Sequence, residues 1–91
     1  MINNNKDGKS CSQNPFEIIE AQFKDFDGIL VKQKDIDTYG IYGEDIYAYL
    51  YRHNDDEKWL LEIAEMTTDS PTKLKSILSA FSKALKNLNK C

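Results

Sequence analysis

Residues 46–52 read Ile-Tyr-Ala-Tyr-Leu-Tyr-Arg, a strict alternation of two kinds of side chain. Ile46, Ala48 and Leu50 point one way and Tyr47, Tyr49 and Tyr51 the other, because side chains change face at every strand residue. The aliphatic set predicts a core face. The tyrosines predict a ladder on the second face, where aromatic rows cover a sheet well. His53 to Lys58 contains no apolar residue and reads as a solvated turn. Trp59 to Met66 is read as the return strand, since a strand needs a partner and this segment is the nearest. Its Glu, Leu, Ala and Met content also suits a helix, with Trp59, Leu60, Ile63 and Met66 as the stripe.

Upstream, Asn14-Pro15 predicts a helix start, with Asn at the N-cap and Pro in the first turn. Phe16, Ile19, Phe23 and Phe26 follow at helical spacing. The competing pattern is a hairpin, Ile18–Phe23 against Ile29–Gln33 across Asp25-Phe26-Asp27-Gly28. Either way Ile29-Leu30-Val31 predicts a short strand, placed centrally because it is apolar throughout. Lys34 to Asp45 is the least regular stretch and holds two Tyr-Gly steps. It predicts a bent connector or bulge between strands, since glycine permits positive φ and close approach. Its alternative is a binding loop, with Tyr39 and Tyr42 as aromatic anchors. Asp69-Ser70-Pro71 predicts a second helix start. Leu74, Ile77, Leu78, Phe81, Leu85 and Leu88 then share one helical face and form the predicted core stripe.

The resulting fold class is α+β: a small antiparallel sheet of three or four strands, packed on one face by a C-terminal amphipathic helix. Ninety-one residues make one domain. Residues 1–14, rich in Asn, Lys, Ser and Gly, read as a disordered polar tail, leaving 15–91 as the folded unit. No apolar run approaches the ~18 residues of a membrane span, and the N-terminal stretch lacks the apolar core of a secretory signal. Cys11 and Cys91 have no metal-ligand spacing. Two such thiols fit a reducing cytoplasm, with a bridge between the chain ends as the alternative.

Charge changes the picture more than composition does. The net charge is −3, but residues 1–69 hold all fifteen acids and seven bases, while residues 70–91 hold five lysines and no acid. Lys75, Lys83, Lys86 and Lys90 fall opposite the predicted apolar stripe. They read first as a solvated helix face, and second as a basic ridge for phosphate or an acidic partner. The nucleic-acid version is weakened by the lack of any Arg on that helix, Arg52 being the only one in the chain. Asp55, Asp56 and Glu57 form an acidic run at the hairpin tip, with Glu44 and Asp45 preceding the hairpin.

No catalytic or cofactor pattern stands out. His53 is the only histidine, so no two-histidine metal site can form. There is no nucleophile elbow and no glycine-rich phosphate loop. Asp25-Phe26-Asp27-Gly28 opens like a calcium loop but continues with Ile29 and Val31 at ligand positions. The sequence therefore predicts a non-enzymatic protein-interaction module without a cofactor. Its form would be an inhibitor or immunity-type protein neutralising a macromolecule through an acidic, Tyr-rich surface. The surface residues named are Tyr39, Tyr42, Tyr47, Tyr49, Tyr51, Asp55, Asp56 and Glu57. Two alternatives stand beside it: a nucleic-acid-associated protein using the lysine ridge, and a homo-oligomeric accessory subunit using the hairpin edge or the Tyr face.

Overall fold

The structure is a computed structural model that describes residues 14–90. Residues 1–13 and Cys91 lie outside it, and with them both cysteines and the predicted tail except Asn14, its last residue. Helix α1 (Pro15–Phe23) leads into four strands, β1 (Leu30–Asp35), β2 (Thr38–Tyr42), β3 (Ile46–Tyr51) and β4 (Leu60–Met66), and helix α2 (Pro71–Lys90) closes the chain. The strands form one antiparallel meander in the order β1-β2-β3-β4. Both helices pack on the same face of the sheet.

Helix α1 starts where the capping residues place it. The Asn14 side chain accepts a hydrogen bond from the Glu17 amide at 2.9 Å, and Pro15 follows. The helix stops at Phe23. Ile18, Ile19 and Phe23 are buried, and Phe26 packs on Phe23 from the turn beyond, ring centroids 5.7 Å apart. Gly28 then turns the chain into β1 with φ +78°, a conformation that glycine adopts without strain. The hairpin alternative for this segment is not formed.

Three expectations are corrected. Ile29-Leu30-Val31 leads into an edge strand rather than a central one, because β1 pairs only with β2. Only Val31 of the three is buried, and Leu30 points to the open face at 54% exposure. An apolar triplet is too short to tell a strand covered on both faces from one that ends in a packed turn. Next, Lys34–Asp45 is neither a bent connector nor a binding loop, and the expected bulge is confined to its start, where the β1–β2 register shifts between Gln33 and Asp35. Its centre is β2, a regular inner strand paired on both sides. Finally, Tyr39 is not an exposed anchor. It shares a face with Ile41, lies 3% exposed in the core, and rests 5.9 Å from the Trp59 ring.

The aliphatic face of β3 is the floor of the core, as its alternation requires: Ile46, Ala48 and Leu50 are buried. Trp59 is buried just before β4. Arg52 stacks on its ring at 4.8 Å, and Asn89 of α2 clasps its backbone, accepting from the Trp59 amide at 2.8 Å and donating to its carbonyl at 3.3 Å. Ser70 caps α2, its hydroxyl accepting from the Lys73 amide at 3.1 Å.

The buried side of α2 is Ile77, Ala80, Phe81, Ala84 and Leu88. This is rotated by about 50° from the predicted stripe at 100° per residue. Leu74 and Leu78 stay 37% and 42% exposed, and Leu85 is only partly buried. The two alanines let the helix lie close to its neighbours, with Phe81 edge-on to Phe23 of α1 at 5.0 Å. The leucine flank lies on the side of Asn89, toward β4, and no described element continues beyond that strand.

Candidate interaction surface

The second face of the sheet carries no covering layer among the described residues. Its side chains follow from the strand register. Three rows run across the strands: Leu30, Tyr42, Tyr47 and Glu65; then Lys32, Gly40, Tyr49 and Glu62; then Asp35, Thr38, Tyr51 and Leu60. Lys34 lies on β1 on the same face.

The centre is an aromatic cluster. Tyr42 and Tyr47 are directly opposite across β2 and β3, and their rings stack 5.2 Å apart at 28°. Tyr47 and Tyr49, two residues apart on one strand, sit 5.2 Å apart at 57°, with their hydroxyls hydrogen-bonded to each other. That bond holds the Tyr49 phenol in its neutral form and pushes its pKa up to about 12. The Lys34 ammonium lies 5.8 Å from the Tyr42 ring centroid, and the proximity of the Tyr42 hydroxyl raises the lysine pKa. Gly40 is the floor beneath the Tyr42 ring. A Cβ there would stand 2.4 Å from the Tyr42 hydroxyl oxygen, so only glycine leaves room for the ring to lie down. Tyr51 belongs to the same face and meets the exposed His53 edge-on at 5.6 Å.

The flanks of the cluster are charged and of opposite sign. Lys32 and Lys34 lie on β1; Glu62 and Glu65 lie on β4. All four are exposed, and none takes part in an ion pair among the described residues. Sequence reasoning missed this pair of glutamates. The signal was present: once Trp59–Met66 is a strand, the register that buries Trp59 and turns Leu61 toward the core turns Glu62 toward the tyrosines.

The predicted acidic surface is not one surface. Asp55, Asp56 and Glu57 are exposed at the β3–β4 tip, at the same end of the sheet as Asp37, which pairs with Arg52 at 2.7 Å. Glu44 and Asp45 are at the other end, and Asp45 is tied to Lys73 of α2 at 2.5 Å. A sheet of six-residue strands, about 20 Å, separates them. Lys75, Lys83, Lys86 and Lys90 are all exposed on the outer side of α2 and form no ion pair among the described residues. The molecule is layered, with tyrosines on one outer side and the lysine ridge on the other.

Recesses elsewhere are poor in chemistry. One of about 90 Å³ lies between Phe26, Ile29 and the Asp45–Lys73 pair, smaller than the ~300 Å³ at which ligand pockets begin. An open one of about 430 Å³, beside Asn14, Phe16, Ile36 and Tyr39, holds a single cation, Arg52, already paired with Asp37. Among the described residues no cluster of three or more His, Cys, Asp or Glu is placed to hold a metal ion, and no helix is long and apolar enough to cross a membrane. Comparison with protein-family models, with curated proteins and with solved structures finds no match, so the reading of this surface rests on its own geometry.

Proposed function

We propose that this chain is a non-enzymatic protein-binding module whose contact surface is the open face of the sheet, centred on Tyr42, Tyr47 and Tyr49. One observation carries the reading. Three tyrosines lock one another into a rigid aromatic platform on a face that no described element covers, with charged residues at its rim. Rigid aromatics with polar ends lose little entropy on contact and dominate protein interfaces. The module works by stoichiometric occupancy, as an inhibitor or immunity-type protein does, in a reducing cytoplasm that keeps Cys11 and Cys91 as thiols.

The test is a tagged pull-down from the native lysate with nuclease treatment, comparing wild type with Tyr47→Ala. Tyr47 is 38% exposed and outside the core, so the variant keeps its fold. A protein recovered in near-stoichiometric amount by wild type and lost by the variant supports the reading. Equal recovery by both removes the open face as the contact surface.

A second reading has its own observation, the four unpaired lysines on the outer side of α2. They span sixteen residues, about 22 Å of helix, and suit a polyanion contacted without base specificity. Lys83→Glu with Lys86→Glu abolishes such binding, and wild-type affinity falls steeply with salt. The aromatic platform contributes nothing to it, because it lies on the opposite side of the molecule.

A further inference from the structure

We infer that the open face pairs with the open face of a second copy of this chain, in a two-fold dimer whose axis runs parallel to the strands. The inference rests on the reading of that face as a contact surface and names its occupant.

The argument is the order of charge across the sheet. From edge to edge the face carries Lys32 and Lys34 on β1, aromatic rings on β2 and β3, and Glu62 and Glu65 on β4; Asp35, at the end of β1, is taken up by its own turn, its carboxylate accepting from the Asp37 amide at 2.9 Å. Two identical faces can meet about an axis in the plane between them in two simple ways. An axis perpendicular to the strands lays β1 on β1 and β4 on β4. Lysines then meet lysines and glutamates meet glutamates, which like-charge repulsion opposes. An axis parallel to the strands lays β1 of each copy on β4 of the other. Each row then meets itself reversed. In the row Lys32-Gly40-Tyr49-Glu62, Lys32 of one copy faces Glu62 of its partner, and the converse holds on the other side. The tyrosines meet in the middle, while in the row Leu30-Tyr42-Tyr47-Glu65 the exposed Leu30 of one copy lies under Glu65 of the other. The strands of the two sheets stay nearly aligned, the usual way in which sheets stack about 10 Å apart. Such an interface is isologous, so one substitution changes two contacts.

The size of the patch sets the strength. Four strands at ~4.8 Å spacing and six residues at ~3.3 Å give a footprint of roughly 400 Å² per copy. That is about half of the ~800 Å² per partner of a stable interface. The dimer is therefore a weak one, in exchange with monomer at concentrations where the face is also free for other partners.

The experiment is sedimentation equilibrium of the full chain over a concentration series, with reducing agent present to exclude bridging through Cys11 or Cys91. The proteins are wild type, Lys32→Glu, Glu62→Lys, an equimolar mixture of these two variants, and Tyr47→Ala. Wild type is expected to show a monomer–dimer equilibrium that weakens with added salt. Each variant alone loses association by roughly tenfold or more, since it places like charges opposite each other twice. The mixture recovers it, because a Lys32→Glu copy facing a Glu62→Lys copy has opposite charges at both contacts. Both positions are exposed, and circular dichroism verifies that each variant is folded. Monomeric wild type at every concentration overturns the dimer while leaving the open face to the pull-down test. Association that the charge variants leave unchanged but Tyr47→Ala removes overturns the proposed arrangement and keeps the face as an interface. Association indifferent to all of these variants overturns both.

Discussion

Gly40 and the tyrosines around it make one unit that no single residue explains. A glycine inside an inner strand weakens it, having no side chain to pack. Here the ring of Tyr42 lies over the bare backbone and supplies the missing surface. Gly40→Ala forces that ring up and is expected to cost about 1–3 kcal/mol, read from the denaturant midpoint. In a Tyr42→Ala background the same change is close to neutral, because nothing remains to displace. The Tyr47–Tyr49 hydroxyl bond has a signature in pH. Tyr49 ionises near pH 12 instead of near its ordinary 10.0, and burial moves Tyr39 in the same upward direction. A raised phenol pKa means the fold favours the protonated form. Its contribution to stability is whole below pH 10 and is lost as pH rises through the folded value. Tyrosinate absorbance is expected to show a late-titrating fraction in wild type. Tyr47→Phe removes the bond and brings Tyr49 back toward its ordinary range.

Helix α2 shows how a stripe drawn on a wheel becomes a packed side. Phe81 is 1% exposed and wedged against Phe23, so Phe81→Ala is expected to cost roughly 3–5 kcal/mol. Leu78 looks equivalent in the sequence but is 42% exposed, and Leu78→Ala should cost under about 1 kcal/mol. Urea melts of the two variants separate the observed stripe from the predicted one. Similar losses would return Leu78 to the core. The elements themselves were largely legible. Asn14-Pro15 and Ser70-Pro71 marked both helix starts because capping is local chemistry, complete within four residues. The alternation of β3 was legible for the same reason. β2 was not. Thr38-Tyr39-Gly40-Ile41-Tyr42 has the right period, but its glycine signals a turn until the covering ring is known. The stripe of α2 was read too far toward the leucines because Ala80 and Ala84 carry little hydrophobic weight. They are buried by the close approach of neighbouring elements, which a wheel does not contain.

At the scale of the molecule, charge is sorted into layers. The lysine ridge faces out from α2, the helices and sheet enclose the core, and the tyrosine platform with its two charged rims faces the other way. The isoelectric point is about 5.0. As pH falls toward that value the net negative charge vanishes, and with it the repulsion between copies. Turbidity against pH is expected to peak near 5, and to fall on either side. The rim charges were hidden from the sequence. The acidic run Asp55-Asp56-Glu57 is conspicuous there, yet it stands at one end of the sheet, whereas Glu62 and Glu65 are separated in the chain and adjacent to the platform in space. Clustering in sequence shows which residues share a loop, and clustering on a sheet face follows register.

The sequence alone determined what depends on neighbours within a few residues: the start of the C-terminal helix, the two-faced β3, and an α+β arrangement with a helix against a small sheet, while it left the first helix beside a hairpin alternative and the return strand beside a helical one. These follow from period, capping and turn chemistry. The tertiary structure decided what depends on pairs distant in the chain. It made β1 an edge and β2 an inner strand, took Tyr39 into the core, turned α2 onto its alanines, and set lysines and glutamates on opposite rims of one aromatic face. Each of these is fixed by which surfaces compete for the same limited burial, and that competition is settled only when all six elements are in place.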